Sequence, residues 1–236
     1  MSDQLQQTDR AFVPALRFKW ATGLYDGLMQ YFTRNNKLRQ LSLEAVAPQA
    51  GEAILDFGCG TGSLTVVLAN TVKKLRVSGY DIDPEVLSVA ARKAAEKPLP
   101  NSPEFHQVDV TDPATLPKGA EGSYNVVVSS LVFHHLSRRQ KAQALKVIND
   151  VLATGGRFIL IDWGPGANVF LKAAFWLVRV FDGMSVTRDN INGKLPHMIE
   201  DAGFDISRSK PVLNTMFGTI WCYEAVKWQQ SDDCRL

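Results

Sequence analysis

Ile54-Leu55-Asp56-Phe57-Gly58-Cys59-Gly60-Thr61-Gly62-Ser63 is the stretch that decides the fold of this chain. It reads as a buried strand closed by a carboxylate, then glycines at alternate positions, then the start of a helix. A chain that turns sharply out of a strand, passes under a ligand with its backbone bare and enters a helix needs residues without a Cβ at those points. Gly58, Gly60 and Gly62 supply them. The dinucleotide fingerprint G-x-G-x-x-G requires glycine where this chain has Ser63, which disfavours the rival reading of a nicotinamide oxidoreductase.

Outward from that stretch, short β-rich runs alternate with helical patterns from about residue 52 to 162, the rhythm of a parallel sheet covered by helices on both faces. Strands are expected over Ala53 to Asp56, Arg76 to Asp81, Glu104 to Val108, Asn125 to Ser129 and Arg157 to Ile161. Continuous apolar runs such as Val126-Val127-Val128 and Phe158-Ile159-Leu160-Ile161 suit central strands buried on both faces. Asp83-Pro84-Glu85 reads as an N-cap, a proline at the first helical position and an acid favoured by the helix dipole, so a helix is expected from Pro84 to about Ala95. Leu145, Ile148 and Leu152 recur at helical spacing before Gly155-Gly156, which predicts a helix ended by a glycine cap. Leu195 to Ala202 before Gly203 repeats that pattern. Ile206 to Lys210 and Phe217 to Val226 read as two more strands, paired antiparallel through a short connection containing Asn214.

Carboxylates recur at the ends of the first three strands. Asp56 can accept hydrogen bonds from the glycine loop; the alternative is a plain helix cap. Asp81 stands at the end of the second strand, where a carboxylate can accept from both hydroxyls of a ribose, with Ile82 against one face of an adenine and Asp83 left to cap the next helix. A cap is the alternative for Asp81 too. After the third strand, Asp109 can accept from the exocyclic amine of adenine while the Val110 backbone N–H donates to a ring nitrogen; alone, Asp109 is equally an ordinary turn residue. Three such carboxylates in succession are harder to dismiss than any one.

The order acidic-x-G-x-G-x-G resembles the first motif of class I S-adenosylmethionine-dependent methyltransferases. Ile54 to Leu68, Gly79 to Leu87, Val108 to Asp112, Tyr124 to Leu136 and Leu152 to Asp162 are similar to the successive motifs of that superfamily. Ser129-Ser130-Leu131-Val132-Phe133-His134-His135-Leu136 resembles the ubiquinone/menaquinone C-methyltransferase-like, small-molecule branch. The resemblance covers about Gly51 to Gly203; it is specific for cofactor and fold and weakly specific for substrate. It implies an α/β fold, a Rossmann-like doubly wound seven-stranded sheet with the last strand antiparallel, and S-adenosyl-L-methionine as cofactor with S-adenosyl-L-homocysteine as product. It implies cofactor roles for Asp56, Gly58, Gly60, Gly62, Asp81 and Asp109, with Asp56 holding the loop open for the methionine part, and for the backbone around Ser129 and Ser130, which would meet the cofactor's amino group.

A sulfonium is already a strong methyl donor, so such a site must align a nucleophile, exclude water and, where needed, remove a proton. His134 and His135 lie just beyond the fourth strand, and histidine is the residue type whose ordinary pKa lies near neutral pH. Either is a candidate catalytic base or substrate-orienting group, and the alternative is packing against the next helix. Tyr25 is a weaker candidate for cofactor closure, and Asp162 and Trp163 are weaker candidates for the pocket wall; simple packing is their alternative. No metal site is expected, because adjacent histidines do not face one ion on a regular helix and no H-x-x-H or C-x-x-C spacing supports them. Nor does an Asn/Asp-Pro-Pro-aromatic run follow the fourth strand, which argues against a DNA amino group as acceptor.

A chain of 236 residues suits one full α/β domain with an appended segment. Residues 1–16 read as a flexible tail, 17–50 as an N-terminal helical lid, and 51–236 as the methyltransferase domain, with 164–192 a helical, substrate-capping insertion after the fifth strand. Phe170, Phe175, Trp176, Phe181 and Met184 in that insertion offer aromatic and soft apolar surface for a small, lipophilic acceptor, with Phe175 and Trp176 in contact with it; packing of the cap onto the sheet is the alternative. The 26 basic and 24 acidic residues nearly cancel, so a nucleic-acid partner is not indicated. Cys59, Cys222 and Cys234 are scattered and odd in number, which fits a reducing compartment. With a polar start and no targeting segment, a cytoplasmic location is expected. Val169 to Phe181 is well short of the roughly 20 residues a membrane span needs, and peripheral contact, delivering a quinone or phospholipid headgroup, is the sharper alternative. A non-catalytic regulator or partner subunit that keeps the cofactor site is the rival outside enzymology.

Overall fold

A computed structural model of the chain describes residues 36–96, 98–166, 188–215 and 218–228. The chain divides into two compact units, residues 1–36 and 37–236, and the second carries the sheet. Strands β1 (Ala53–Phe57), β2 (Arg76–Asp81), β3 (Glu104–Gln107), β4 (Tyr124–Ser130), β5 (Leu152–Gly164), β6 (Phe204–Thr215) and β7 (Gly218–Lys227) form one seven-stranded sheet in the order β3-β2-β1-β4-β5-β7-β6. The first five strands are parallel and β7 runs antiparallel to both β5 and β6. The expected α/β class, strand count and reversed last strand all hold. Order reverses between β1 and β4, which is where open sheets of this kind leave a crevice at the carboxyl ends of their strands.

Helices α1 (Asn36–Val46), α2 (Ser63–Ala69), α3 (Pro84–Ala95), α4 (Arg138–Val151), α5 (Arg188–Ile191) and α6 (Leu195–Asp201) join 3₁₀ turns at Pro113–Thr115 and Phe133–His135. On one sheet face Leu55, Phe57, Val127, Phe158, Leu160 and Tyr223 form a core with Ala144, Leu145 and Ile148 of α4. Asp56 lies on the other face, where its carboxylate meets Thr65 of α2. Helix α3 starts where the sequence places it: the Asp83 side chain accepts from the Glu85 N–H at 2.8 Å. Gly203, at φ +90°, follows α6 as expected, and its N–H donates to Glu200 O.

The glycine cap expected for α4 does not form. The helix stops at Val151, Leu152 is already extended, and β5 begins there rather than at Arg157. Its last carbonyls find distant partners instead: Lys227 Nζ donates to Asn149 O at 2.6 Å and to Leu152 O at 2.8 Å, and Gly122 N–H donates to Asp150 O at 2.9 Å. Gly155 and Gly156 fall inside β5, at a register shift where Tyr124 pairs with Leu152 and Val126 with Arg157. Strand β6 is also longer than expected and takes in Asn214, which pairs with Thr219 across the hairpin. Among the described residues no helix is long and apolar enough to cross a membrane.

Candidate functional site

The turn after β1 is held open by β2. Gly58 and Cys59 N–H both donate to Tyr80 O, at 2.8 and 2.9 Å, and Gly60 N–H donates to Asp81 Oδ2 at 2.8 Å. Gly58, Gly60 and Gly62 have φ of +78°, +51° and +67°, a region that penalises side chains. A Cβ on Gly58 would meet Val132 Cγ2 at 2.4 Å and one on Gly62 would meet Ala90 Cβ at 2.7 Å, whereas one on Gly60 would meet nothing within 4 Å. The middle of the turn therefore faces open space while its two ends are packed.

The carboxylates divide their work differently from the sequence reading. Asp56 accepts from Thr65 Oγ1 at 2.6 Å and from the Thr65 backbone N–H, where the sequence reading had the glycine turn as donor. It is fully buried, and burial pushes its pKa up to about 6 against the pull of the Thr65 hydroxyl and backbone N–H. Asp81 takes the turn's N–H instead, and its Oδ1 accepts from Asp83 N–H at 3.1 Å. Ile82 beside it is 46% exposed, unusual for an apolar side chain at a strand tip of this chain. Asp109 Oδ1 accepts from Thr111 N–H at 2.9 Å and Thr111 Oγ1 at 2.7 Å, an Asx turn, and Val110 is buried. Ser129, fully buried, donates from Oγ to Phe57 O at 2.9 Å and so ties the tip of β4 to that of β1. Ser130 closes β4, and Leu131 after it sits at φ +58°, a strained conformation for a γ-branched residue.

Across the switch in strand order the chemistry gathers on Asp162, at the end of β5. This carboxylate is completely buried and accepts from Phe133 N–H (2.8 Å), His134 N–H (3.3 Å), Trp163 N–H (2.7 Å), Asn190 Nδ2 (3.3 Å) and the His134 ring at Nδ1 (2.9 Å). Burial pushes its pKa up, but the His134 ring and the backbone donors outweigh it and hold the carboxyl below the usual range. His134 is buried with it. His135 keeps an exposed edge; the His134 ring, 3.9 Å away between centroids, and desolvation together push its pKa down to about 3. Lys141 of α4 is also fully buried, its pKa lowered by desolvation against the opposing charges of Asp189 and Asp162.

His134 and Asp162 are thus brought together, and Trp163 is buried directly beyond them. Tyr25, Phe175 and Trp176, with the rest of the insertion's aromatic residues, lie outside the described residues. Thr65, Asn190 and the partnership of Asp162 with the 3₁₀ turn are absent from the sequence reading. The last arises from tertiary pairing: Ser130 and Ile161 pair across parallel neighbours, so the residues that follow them emerge at adjacent strand tips.

The methyltransferase-domain family matches residues 54–156 of this chain. An uncharacterized methyltransferase of Synechocystis sp. is 30% identical over 176 residues, covering 73% of this chain and 76% of that protein. The demethylmenaquinone methyltransferase of Thermus thermophilus is 30% identical over 151 residues, 64% of this chain and 63% of that one. The chain spans about half the length of relatives such as an uncharacterized methyltransferase of Bacillus pumilus, 31% identical and 51% covered. Among solved structures, the magnesium protoporphyrin IX methyltransferase of Synechocystis with bound SAH superposes with a TM-score of 0.64 at 22% identity, over 88% of this chain and 95% of that one, which bears on the fold alone. With the glycine turn, the strand-end carboxylates and the sheet order already in place, these likenesses assign the chain to the class I S-adenosylmethionine-dependent methyltransferase family.

Proposed function

We propose that this protein transfers a methyl group from S-adenosylmethionine to a small, largely apolar acceptor, with Asp81 and the glycine turn holding the cofactor and His134 acting as general base. The observation that carries the reading is the conjunction at the tips of β1 and β2: a turn whose central glycine opens on empty space, Asp81 bonded to that glycine, and a solvent-exposed Ile82 next to it. These groups fit a ligand with a ribose and an adenine. Asp81 retains lone pairs for ribose hydroxyls, Ile82 offers an apolar face to the base, and Asp109 with the Val110 N–H stands where an adenine edge would be read. The backbone at Ser129 and Ser130 and the Asp56 side of the turn are assigned to the methionine end.

S-adenosylmethionine, when bound, supplies a sulfonium bearing a transferable methyl. The chain's part is orientation, exclusion of water and proton removal. Asp162 accepts from His134 Nδ1, which leaves Nε2 as the ring atom able to take a proton from the acceptor. His135, with its pKa pushed down to about 3, is the poorer base of the two. For the acceptor, the aromatic residues Phe175 and Trp176 and the likeness to a demethylmenaquinone methyltransferase favour a ring or lipid-tailed compound, carbon, oxygen or nitrogen being the methylated atom. As a second reading, that likeness favours a quinone acceptor, and the apolar run 169–181 of the sequence a quinone or phospholipid met at a membrane surface.

Calorimetry with S-adenosylmethionine and S-adenosylhomocysteine tests the first step. Both are expected to bind, and Asp81→Ala to weaken them by about tenfold or more, in line with the loss of charge-assisted hydrogen bonds; absence of heat with the wild-type protein overturns the reading. With an acceptor in hand, His134→Ala is expected to slow transfer by about 10²- to 10⁴-fold, and His135→Ala far less. Cosedimentation with liposomes decides the second reading, which fails if the protein stays in the supernatant.

A further inference from the structure

Lys93 is on α3, yet its ammonium donates to three oxygens of the turn after β1: Thr61 O at 2.7 Å, Ser63 Oγ at 2.9 Å and Thr61 Oγ1 at 3.2 Å. The contact is tertiary and joins residues 30 and 32 positions apart. Its surroundings oppose it. Ser63 opens α2, and a cation beside the first turn of a helix works against the helix dipole. Desolvation and the nearby Arg39 of α1 also disfavour the charged amine, with Glu96 the charge that supports it. A side chain that breaks local preferences in this way marks a place where structure is held for a purpose.

That purpose follows from the other bonds of the turn. Gly58 and Cys59 are tied to Tyr80, Gly60 to Asp81, and Gly62 to Cys59 O at 3.0 Å. Those bonds bypass the Thr61 carbonyl, and Lys93 takes it. A turn rich in glycine loses more backbone entropy on ordering than any other, and a turn ordered in advance spares the ligand that cost.

We propose that Lys93 is a positioning residue for the cofactor: by holding Thr61 and Ser63 it keeps the 58–63 turn in the shape that receives S-adenosylmethionine. The proposal rests on the cofactor reading above and adds to it a residue that does not itself need to touch the ligand.

The test compares Lys93→Met, Lys93→Arg and Arg92→Met, the last removing the same charge from the neighbouring position of α3. Affinity for S-adenosylhomocysteine is measured by calorimetry, and amide hydrogen exchange of Gly60 to Gly62 is followed in the ligand-free protein. Lys93→Met is expected to weaken binding about tenfold, as for a hydrogen bond to a charged group, and to speed exchange in the turn several-fold. Lys93→Arg recovers most of both, and Arg92→Met changes neither. Should Lys93→Met fold poorly, the double variant Thr61→Val, Ser63→Ala removes the two hydroxyl acceptors and is expected to weaken binding in the same direction. Unchanged affinity and exchange in Lys93→Met, or an equal effect from Arg92→Met, overturns the proposal. Wild-type protein that takes up no S-adenosylhomocysteine instead sinks the cofactor reading on which it stands.

Discussion

Two buried carboxylates, one in each half of the sheet, show how differently the halves are built. Asp56 at the end of β1 and Asp162 at the end of β5 are both withdrawn from water, and in both burial is the largest influence on the proton. Asp56 has Thr65 to answer it and its pKa rises to about 6. Asp162 has a histidine ring, an asparagine amide and three backbone N–H groups, and its pKa falls. The β1 half leaves its carboxylate under-solvated, with burial outweighing the Thr65 hydrogen bonds. The β5 half uses its carboxylate to hold the His134 turn.

Removing Asp162 is the harshest way to break that contrast. Asp162→Ala strips the partners from an imidazole and buried N–H groups together and is expected to cost about 3–5 kcal/mol in denaturant unfolding; a loss below about 1 kcal/mol would make the cluster no better than a surface ion pair. In the turn after β1, Gly62→Ala drives a Cβ to 2.7 Å from Ala90 Cβ and is expected to cost about 2–4 kcal/mol. Gly60→Ala meets no neighbour, so it is expected to cost about 1 kcal/mol while abolishing most cofactor affinity. Equal stabilities for the two glycine variants would contradict the open centre of the turn.

The pH dependence of stability separates the two carboxylates by sign. A folded-state pKa raised from 3.8 to about 6 means that Asp56 supports the ligand-free fold fully below pH 4 and withdraws that support as pH rises through 6. The loss is of order 2–3 kcal/mol. Asp56→Asn is therefore expected to raise the melting temperature of ligand-free protein at pH 7.5 and to leave it nearly unchanged at pH 4; a variant less stable than wild type at pH 7.5 contradicts this. Asp162, with its pKa held down, contributes above the ordinary carboxylate range and loses its contribution only as pH falls through its lowered value. A more modest effect than that of Asp162→Ala or Gly62→Ala is expected of Lys227→Met, about 1–2 kcal/mol, since it takes the ammonium from Asn149 O and Leu152 O at the end of α4; no change in chemical denaturation would show that water replaces it fully.

Legibility follows the same division. Helix α3 could be read to its ends because its signals are local: Asp83, Pro84 and Glu85 are consecutive and their cap bond spans two residues. The glycine turn and the carboxylates of β2 and β3 were likewise visible, being placed by strand ends and spacing. What could not be read was nonlocal. The end of α4 differs from the expected glycine cap because Lys227 and Gly122, far along the chain on either side, satisfy the carbonyls there. Asp162 read as a pocket wall because its partners come from 28 residues before it and 28 after it, an arrangement that pairing of β4 with β5 creates and no short motif announces. Asp109 was open to two readings because a carboxylate after a strand serves a turn as readily as a ligand, and here its Oδ1 closes an Asx turn with Thr111.

The position of β7 has a consequence for how the chain assembles. β6 is synthesised first, yet it joins the sheet only through β7, which lies between it and β5. Until β7 emerges, Phe204–Thr215 has no partner strand and the long flank of β5 is an open ladder, a template for pairing with another copy. The β6–β7 hairpin is therefore expected to dock as a unit, late, in the same event that brings Lys227 to the end of α4. Nascent chains arrested before Gly218 should be the aggregation-prone stage in the biosynthesis of this protein.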